Sequence, residues 1–86
     1  MITLYKILLF VTEGCLQCQY VKEKIKSLHL EGITILDVAD KENEKLCNQY
    51  AGQRVPYVVI KRNERVIAKK VLDSPADINW LTEYFV

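Results

Sequence analysis

The sequence predicts an α/β domain with the element order β-α-β-α-β-β-α and a mixed four-stranded sheet covered by helices. Three observations carry that prediction. The run Ile7-Leu8-Leu9-Phe10-Val11 is apolar without alternation, the pattern of a strand buried on both faces. An amphipathic helical stretch follows, and then Ile33 to Val38, rich in β-branched residues, so a right-handed crossover with parallel strands is implied. Two more strand-like stretches, Tyr57-Val58-Val59-Ile60 and Arg65 to Val71, are separated by the polar Arg62-Asn63-Glu64, which is hairpin spacing and adds antiparallel strands.

Each element has its own justification. Strand one runs from about Leu4 to Val11. The first helix follows from about Cys15 to Leu30, with Val21, Ile25 and Leu28 as its buried stripe and Lys22, Glu23, Lys24 and Lys26 outside it. Gly32 breaks it. Asp40 suits the N-cap of a second helix that turns Leu46, Cys47 and Tyr50 inward and ends at Gly52. Ser74-Pro75 opens the last helix, with Ser as cap and Pro at the first helical position, and Ile78, Leu81 and Phe85 or Trp80 dock it on the sheet. Residues 1–86 read as one domain, with no repeat, low-complexity stretch or linker.

Composition narrows the class. Half of the 86 residues are hydrophobic, ample for a core, and the formal net charge of +1 gives no whole-molecule reason to bind nucleic acid or an anionic membrane. Basic and acidic residues interleave, as in Lys22-Glu23-Lys24. The apolar run near the N-terminus is five residues, short of the roughly 7–15 of a secretion signal, and no segment has transmembrane length. Three cysteines, an odd number, do not suit a secreted disulfide scaffold. The expected molecule is a cytoplasmic monomer with neither nucleic acid nor membrane as partner.

The chemistry is concentrated at Cys15-Leu16-Gln17-Cys18, which follows the first strand and Gly14. A cysteine at a helix start faces unpaired N–H groups and the positive end of the macrodipole, and both favour the thiolate, the species that attacks disulfides. A second cysteine three residues on shares the helical face and can close or resolve a disulfide. Cys47, on the inward stripe of the second helix, reads as a small core hydrophobe. Lys22 lies on the face of the pair but reads as a solvated lysine. A metal site from three Cys and one His fails on geometry, because His29 would stand roughly 21 Å along the helix from Cys15. No metal and no tightly bound cofactor is expected.

On Gly14-Cys15-Leu16-Gln17-Cys18 after strand one, Val55-Pro56 before strand three, and the element order, the chain resembles the thioredoxin superfamily, and within it the small glutaredoxin-like members. The resemblance covers essentially the whole length. It implies a cis Pro56 packed beside the cysteine pair, and a Val55 backbone free to hydrogen-bond an extended substrate. Three features depart from the family. After strand four, Val71-Leu72-Asp73-Ser74-Pro75-Ala76-Asp77 lacks the glycine pair with which glutaredoxins bind glutathione. Thr12-Glu13 stands where many have a basic residue, and Leu9 where thioredoxins often bury an aspartate.

The expected function is that of a dithiol–disulfide oxidoreductase acting on protein disulfides, with Cys15 as attacking thiolate and Cys18 as resolving thiol. Val55 and Pro56 would line the substrate site, and Arg54, just before them, is placed to meet a partner carboxylate. The expected partners are disulfide-containing proteins and a reductant, either a flavoprotein reductase or glutathione. A glutathione-dependent glutaredoxin and a non-catalytic binding module are the alternatives.

Overall fold

The computed structural model describes residues 1–50 and 54–86. Its elements are β1 (Ile2–Val11), α1 (Leu16–Ser27), β2 (Glu31–Asp37), a 3₁₀ turn (Lys41–Asn43), α2 (Glu44–Tyr50), β3 (Tyr57–Arg62), β4 (Arg65–Val71) and α3 (Pro75–Thr82). The sheet order is β2-β1-β3-β4, with β1 parallel to β2 and the other neighbours antiparallel. The expected mixed four-stranded sheet is present.

β1 is central, and its second half is sealed on both faces. Ile7, Leu9 and Val11 enter one cluster with Cys18, Val21 and Ile25 of α1 and with Ile78 and Leu81 of α3. Leu8 and Phe10 point the other way, to Tyr57, Val59 and the half-buried Leu46, Cys47 and Tyr50 of α2. The first half of β1 extends further back than expected, to Ile2, and its residues alternate between exposed and half-buried. Backbone pairing explains the extension: Ile2 exchanges hydrogen bonds with Val86 (3.2 and 2.8 Å), and Glu31 N–H donates to the Met1 carbonyl.

The end of α1 corrects the sequence reading. The helix stops at Ser27, Leu28 is its C-cap and is exposed, and the chain turns through His29 at φ 54°. Leu30 N–H bonds the Ile25 carbonyl and His29 N–H the Lys26 carbonyl, which is the Schellman closure with histidine in the left-handed position. Leu30 is then buried in the same cluster as Ile25. Gly32 does not break the helix. It lies in β2 at φ 93°, where a Cβ would stand 3.1 Å from the Thr3 side chain.

The hairpin and the helix starts follow local chemistry. Asn63 takes φ 57° in the β3–β4 turn, a conformation asparagine tolerates. Asp40 accepts from Glu42 N–H at 2.9 Å, but it caps the 3₁₀ turn that leads into α2 and not α2 itself. Gly52, the expected end of α2, lies outside the described residues. The buried Lys61 of β3 donates to the Tyr50 hydroxyl at 2.9 Å and sits 4.9 Å over its ring, which ties the sheet to α2.

α3 begins at Ser74-Pro75 as expected, and Asp77 organises that start. One carboxylate oxygen accepts from the backbone N–H of Asp73 (2.8 Å) and of Ser74 (3.1 Å), and the other lies 3.3 Å from the Lys70 ammonium. Burial opposes ionisation of Asp77, but the two N–H groups and Lys70 outweigh it and hold the carboxyl below its ordinary value. The contribution is therefore complete above the unfolded-state value, near pH 4, and is lost as pH falls through the lower folded value. Asp77→Ala is expected to cost about 1–2 kcal/mol at neutral pH. In denaturant titrations the gap between wild type and variant should stay constant from about pH 5 upward and shrink below about pH 4.

Candidate functional site

The site forms where the central strand hands over to α1. β1 ends at Val11, and Gly14, at φ 73°, makes a tight turn that glycine adopts without strain. Cys15 is the N-cap of α1, extended at φ −100° and ψ 108°, with Leu16 as the first helical residue. Its carbonyl accepts the first helical bond, from Gln19 N–H at 3.1 Å. Its sulfur accepts from Cys18 N–H at 3.1 Å, so a cysteine fills the role usually taken by Ser or Asp.

Cys15 and Cys18 are joined by a disulfide, with Cα atoms 5.2 Å apart. The two sulfurs differ in surroundings. Cys15 is half-buried and next to the 83% exposed Leu16, whereas Cys18 is fully buried among apolar side chains. The first turn of α1 contains no acidic residue, so no carboxylate there offsets the positive end of the helix.

Two further segments frame the pair. The Val55–Pro56 peptide is cis. Pro56 is fully buried, and Val55, half-buried, touches both apolar clusters. The Pro56 carbonyl accepts from Leu72 N–H at 2.9 Å, and the Leu72 carbonyl accepts from the Gln17 side chain at 3.2 Å. A continuous chain of bonds thus runs from the dipeptide between the cysteines, through the segment after β4, to the cis peptide.

Arg54 is not free. Its guanidinium lies 3.2 Å from an Asp73 carboxylate oxygen, so the group expected to meet a partner's carboxylate already faces one of the chain's own. Sequence reasoning missed Asp73 and Gln17, because both partners are distant in the chain. Lys22 is exposed, as expected, and borders a groove of about 470 Å³ that Gly14, Gln19 and Asp37 also line. A larger hollow, at the β3–β4 turn between Arg62 and Ile67, lies at the far end of β3 from the cysteines.

His29 stands beyond the end of α1 and is exposed. Among the described residues no group of three or more His, Cys, Asp or Glu could hold a metal ion. No helix of the described residues is long and apolar enough to cross a membrane. Cys47 is half-buried on the opposite face of the sheet from Cys18 and is not in a disulfide. Burial, and then the negative charge of Asp37, pushes its thiol above the ordinary cysteine value. Alkylation of the oxidised protein is therefore expected to label Cys47 alone, slowly at neutral pH and faster as the pH is raised, as peptide mass spectrometry would resolve.

No protein-family model matches the chain, and no curated protein matches it. Solved structures do. Thioredoxin f2 of Chlamydomonas reinhardtii superposes with a TM-score of 0.74 at 17% identity, covering 94% of this chain and 78% of that one. Thioredoxin 1 of Thermosipho africanus gives 0.66 at 24% identity, over 98% and 93%. Thioredoxin O1 of Arabidopsis thaliana, in its oxidised state, gives 0.71 at 15% identity, over 96% and 80%. At these identities the likeness is one of architecture. The chain has the thioredoxin fold.

Proposed function

We propose that this chain, built on the thioredoxin fold, is a dithiol–disulfide oxidoreductase that reduces protein disulfides through Cys15 and Cys18. The observation that carries the reading is the Cys18 N–H aimed at the Cys15 sulfur at the first turn of α1. Released from the disulfide, that sulfur keeps a donor and the positive helix end beside it, and both favour thiolate.

The reaction follows from the two environments. The Cys15 thiolate attacks one sulfur of the substrate disulfide, a Cys15–substrate mixed disulfide forms, and the other substrate sulfur leaves as thiolate and takes a proton from water. Cys18 then attacks the Cys15 sulfur and closes the intramolecular bond. The second substrate sulfur leaves and takes up the proton that Cys18 loses. Two electrons pass from protein to substrate, with one proton from Cys18 and one from water. The cluster around Cys18 is apolar, with Leu9 fully buried in it, so we assign no carboxylate base to the second step and route the proton to the leaving sulfur.

We take Val55 and Pro56 as a border of the site, and we assign the Val55 backbone to bonding an extended polypeptide beside Cys15. We read the chain as a weak user of glutathione; two features support this, the engagement of Arg54 by Asp73 and a segment after β4 that begins Leu72-Asp73-Ser74, without glycine. We place the protein in the cytoplasm, a reducing compartment that keeps the dithiol and the unpaired Cys47 available. One apolar cluster draws on elements from β1 to Phe85 and the other on elements from β1 to Val71, which supports residues 1–86 as one domain.

The test is turnover. Wild type, recycled by a small dithiol, should reduce a model protein disulfide catalytically, and Cys15→Ser should abolish this. Cys18→Ser should accumulate Cys15 mixed disulfides that are mainly with proteins. Robust turnover of Cys18→Ser with glutathione and a small mixed disulfide would assign the chain to the glutathione-dependent class instead.

A further inference from the structure

The rim of the site carries an unusual charge arrangement. Arg54, the cation beside the cis peptide, lies 3.2 Å from Asp73. Lys70 on β4 lies 3.3 Å from Asp77 and 5.4 Å over the Trp80 ring. Glu13, exposed and two residues before Cys15, has no cation within ion-pair distance among the described residues. Lys22, Glu13 and Asp37 line one groove beside Gly14, so the rim sets the cations Arg54, Lys70 and Lys22 against the carboxylates Asp73, Asp77, Glu13 and Asp37, an excess of one negative charge.

Asp73 is held in place from several directions. Its backbone N–H donates to Asp77, and the preceding Leu72 is bonded on one side to Pro56 and on the other to Gln17. Its backbone is therefore held beside Pro56 and Gln17, and its carboxylate meets Arg54. The Arg54 and Asp73 side chains are 70% and 50% exposed, so the pair contributes little to stability while its charges stay open to an approaching ligand.

We propose that Asp73 is a specificity-determining residue that selects against anionic disulfides. It occupies the guanidinium that would otherwise meet a ligand carboxylate, and with Asp77, Glu13 and Asp37 it outnumbers the three cations of the rim by one. The substrates admitted are disulfides in neutral or basic polypeptide segments, and those turned away are small disulfides that carry carboxylates. This selection rests on the oxidoreductase reading above.

The experiment is oxidation of the reduced protein by three reagents of differing charge, followed by thiol titration. The reagents are oxidised glutathione (anionic), 2-hydroxyethyl disulfide (neutral) and cystamine (cationic). In each case two electrons and two protons pass from the Cys15/Cys18 dithiol to the reagent, which is released as two thiols. Asp73→Asn is expected to raise the rate constant with oxidised glutathione about two- to five-fold, lower that with cystamine by a similar factor, and leave the neutral reagent unchanged. In about 1 M salt, where screening acts within about 3 Å, those opposed shifts should collapse. Adding Arg54→Gln to Asp73→Asn should cancel the gain with glutathione. A structural disturbance would move all three reagents in one direction, and that result, or no change with any of them, would overturn the proposal. Failure of wild type to be oxidised by any of the three would instead overturn the oxidoreductase reading itself.

Discussion

Burial of β1 on both faces is the constraint on which the rest of the molecule depends. Ile7, Leu8, Leu9, Phe10 and Val11 are each at most 4% exposed, and each contributes about 1.5–3 kcal/mol by leaving water. A strand in that position needs helices on both sides, and α1 with α3 on one face and α2 on the other supply them. The requirement also fixes the site. A parallel β1–β2 pair must be joined by a crossover helix, and α1 therefore starts just past the carboxyl end of β1. Cys15 is at that start, so the fold delivers a cysteine to the positive end of a helix at the edge of a sealed core.

The same geometry separates the surroundings of the two sulfurs. One helical turn carries the chain from the half-buried Cys15 to the fully buried Cys18, which lies against Val21 and the residues of β1. The outer sulfur is left for solvent and partner, and the inner one is reachable from Cys15. The segments that border the pair are held by few bonds: Gln17 to Leu72, Leu72 to Pro56, Arg54 to Asp73. Their arrangement gives the rim its shape and its charge, and among the described residues no buried carboxylate stands in the core around Cys18.

What could be read from the sequence was local. The unbroken apolar run of β1, the hairpin around Asn63 and the Ser74-Pro75 helix start each rest on neighbouring residues, and each is present. The Cys15–Cys18 spacing belongs to the same class. The end of α1 was misread because Leu28 continues the Val21, Ile25 stripe and Gly32 is the usual kind of helix stop. The chain instead closes on His29, whose left-handed conformation has no clear signature in residue type. The bonds of Arg54 and Gln17 were illegible for another reason. Their partners, Asp73 and Leu72, lie 19 and 55 residues away, and no local pattern announces a bond of that reach.

The central claim is that the start of α1 makes Cys15, and not Cys18 or Cys47, the attacking sulfur. The most direct measurement is alkylation of the fully reduced protein between about pH 5 and pH 9, with the rate at each cysteine resolved by peptide mass spectrometry. Cys15 should keep most of its rate at the acidic end, where an ordinary thiol is almost wholly protonated. Cys18 should be protected by burial, and Cys47 should react appreciably only toward the alkaline end. A Cys15 rate that falls with acidification as steeply as that of Cys47, or labelling of Cys18 ahead of Cys15, would contradict the account.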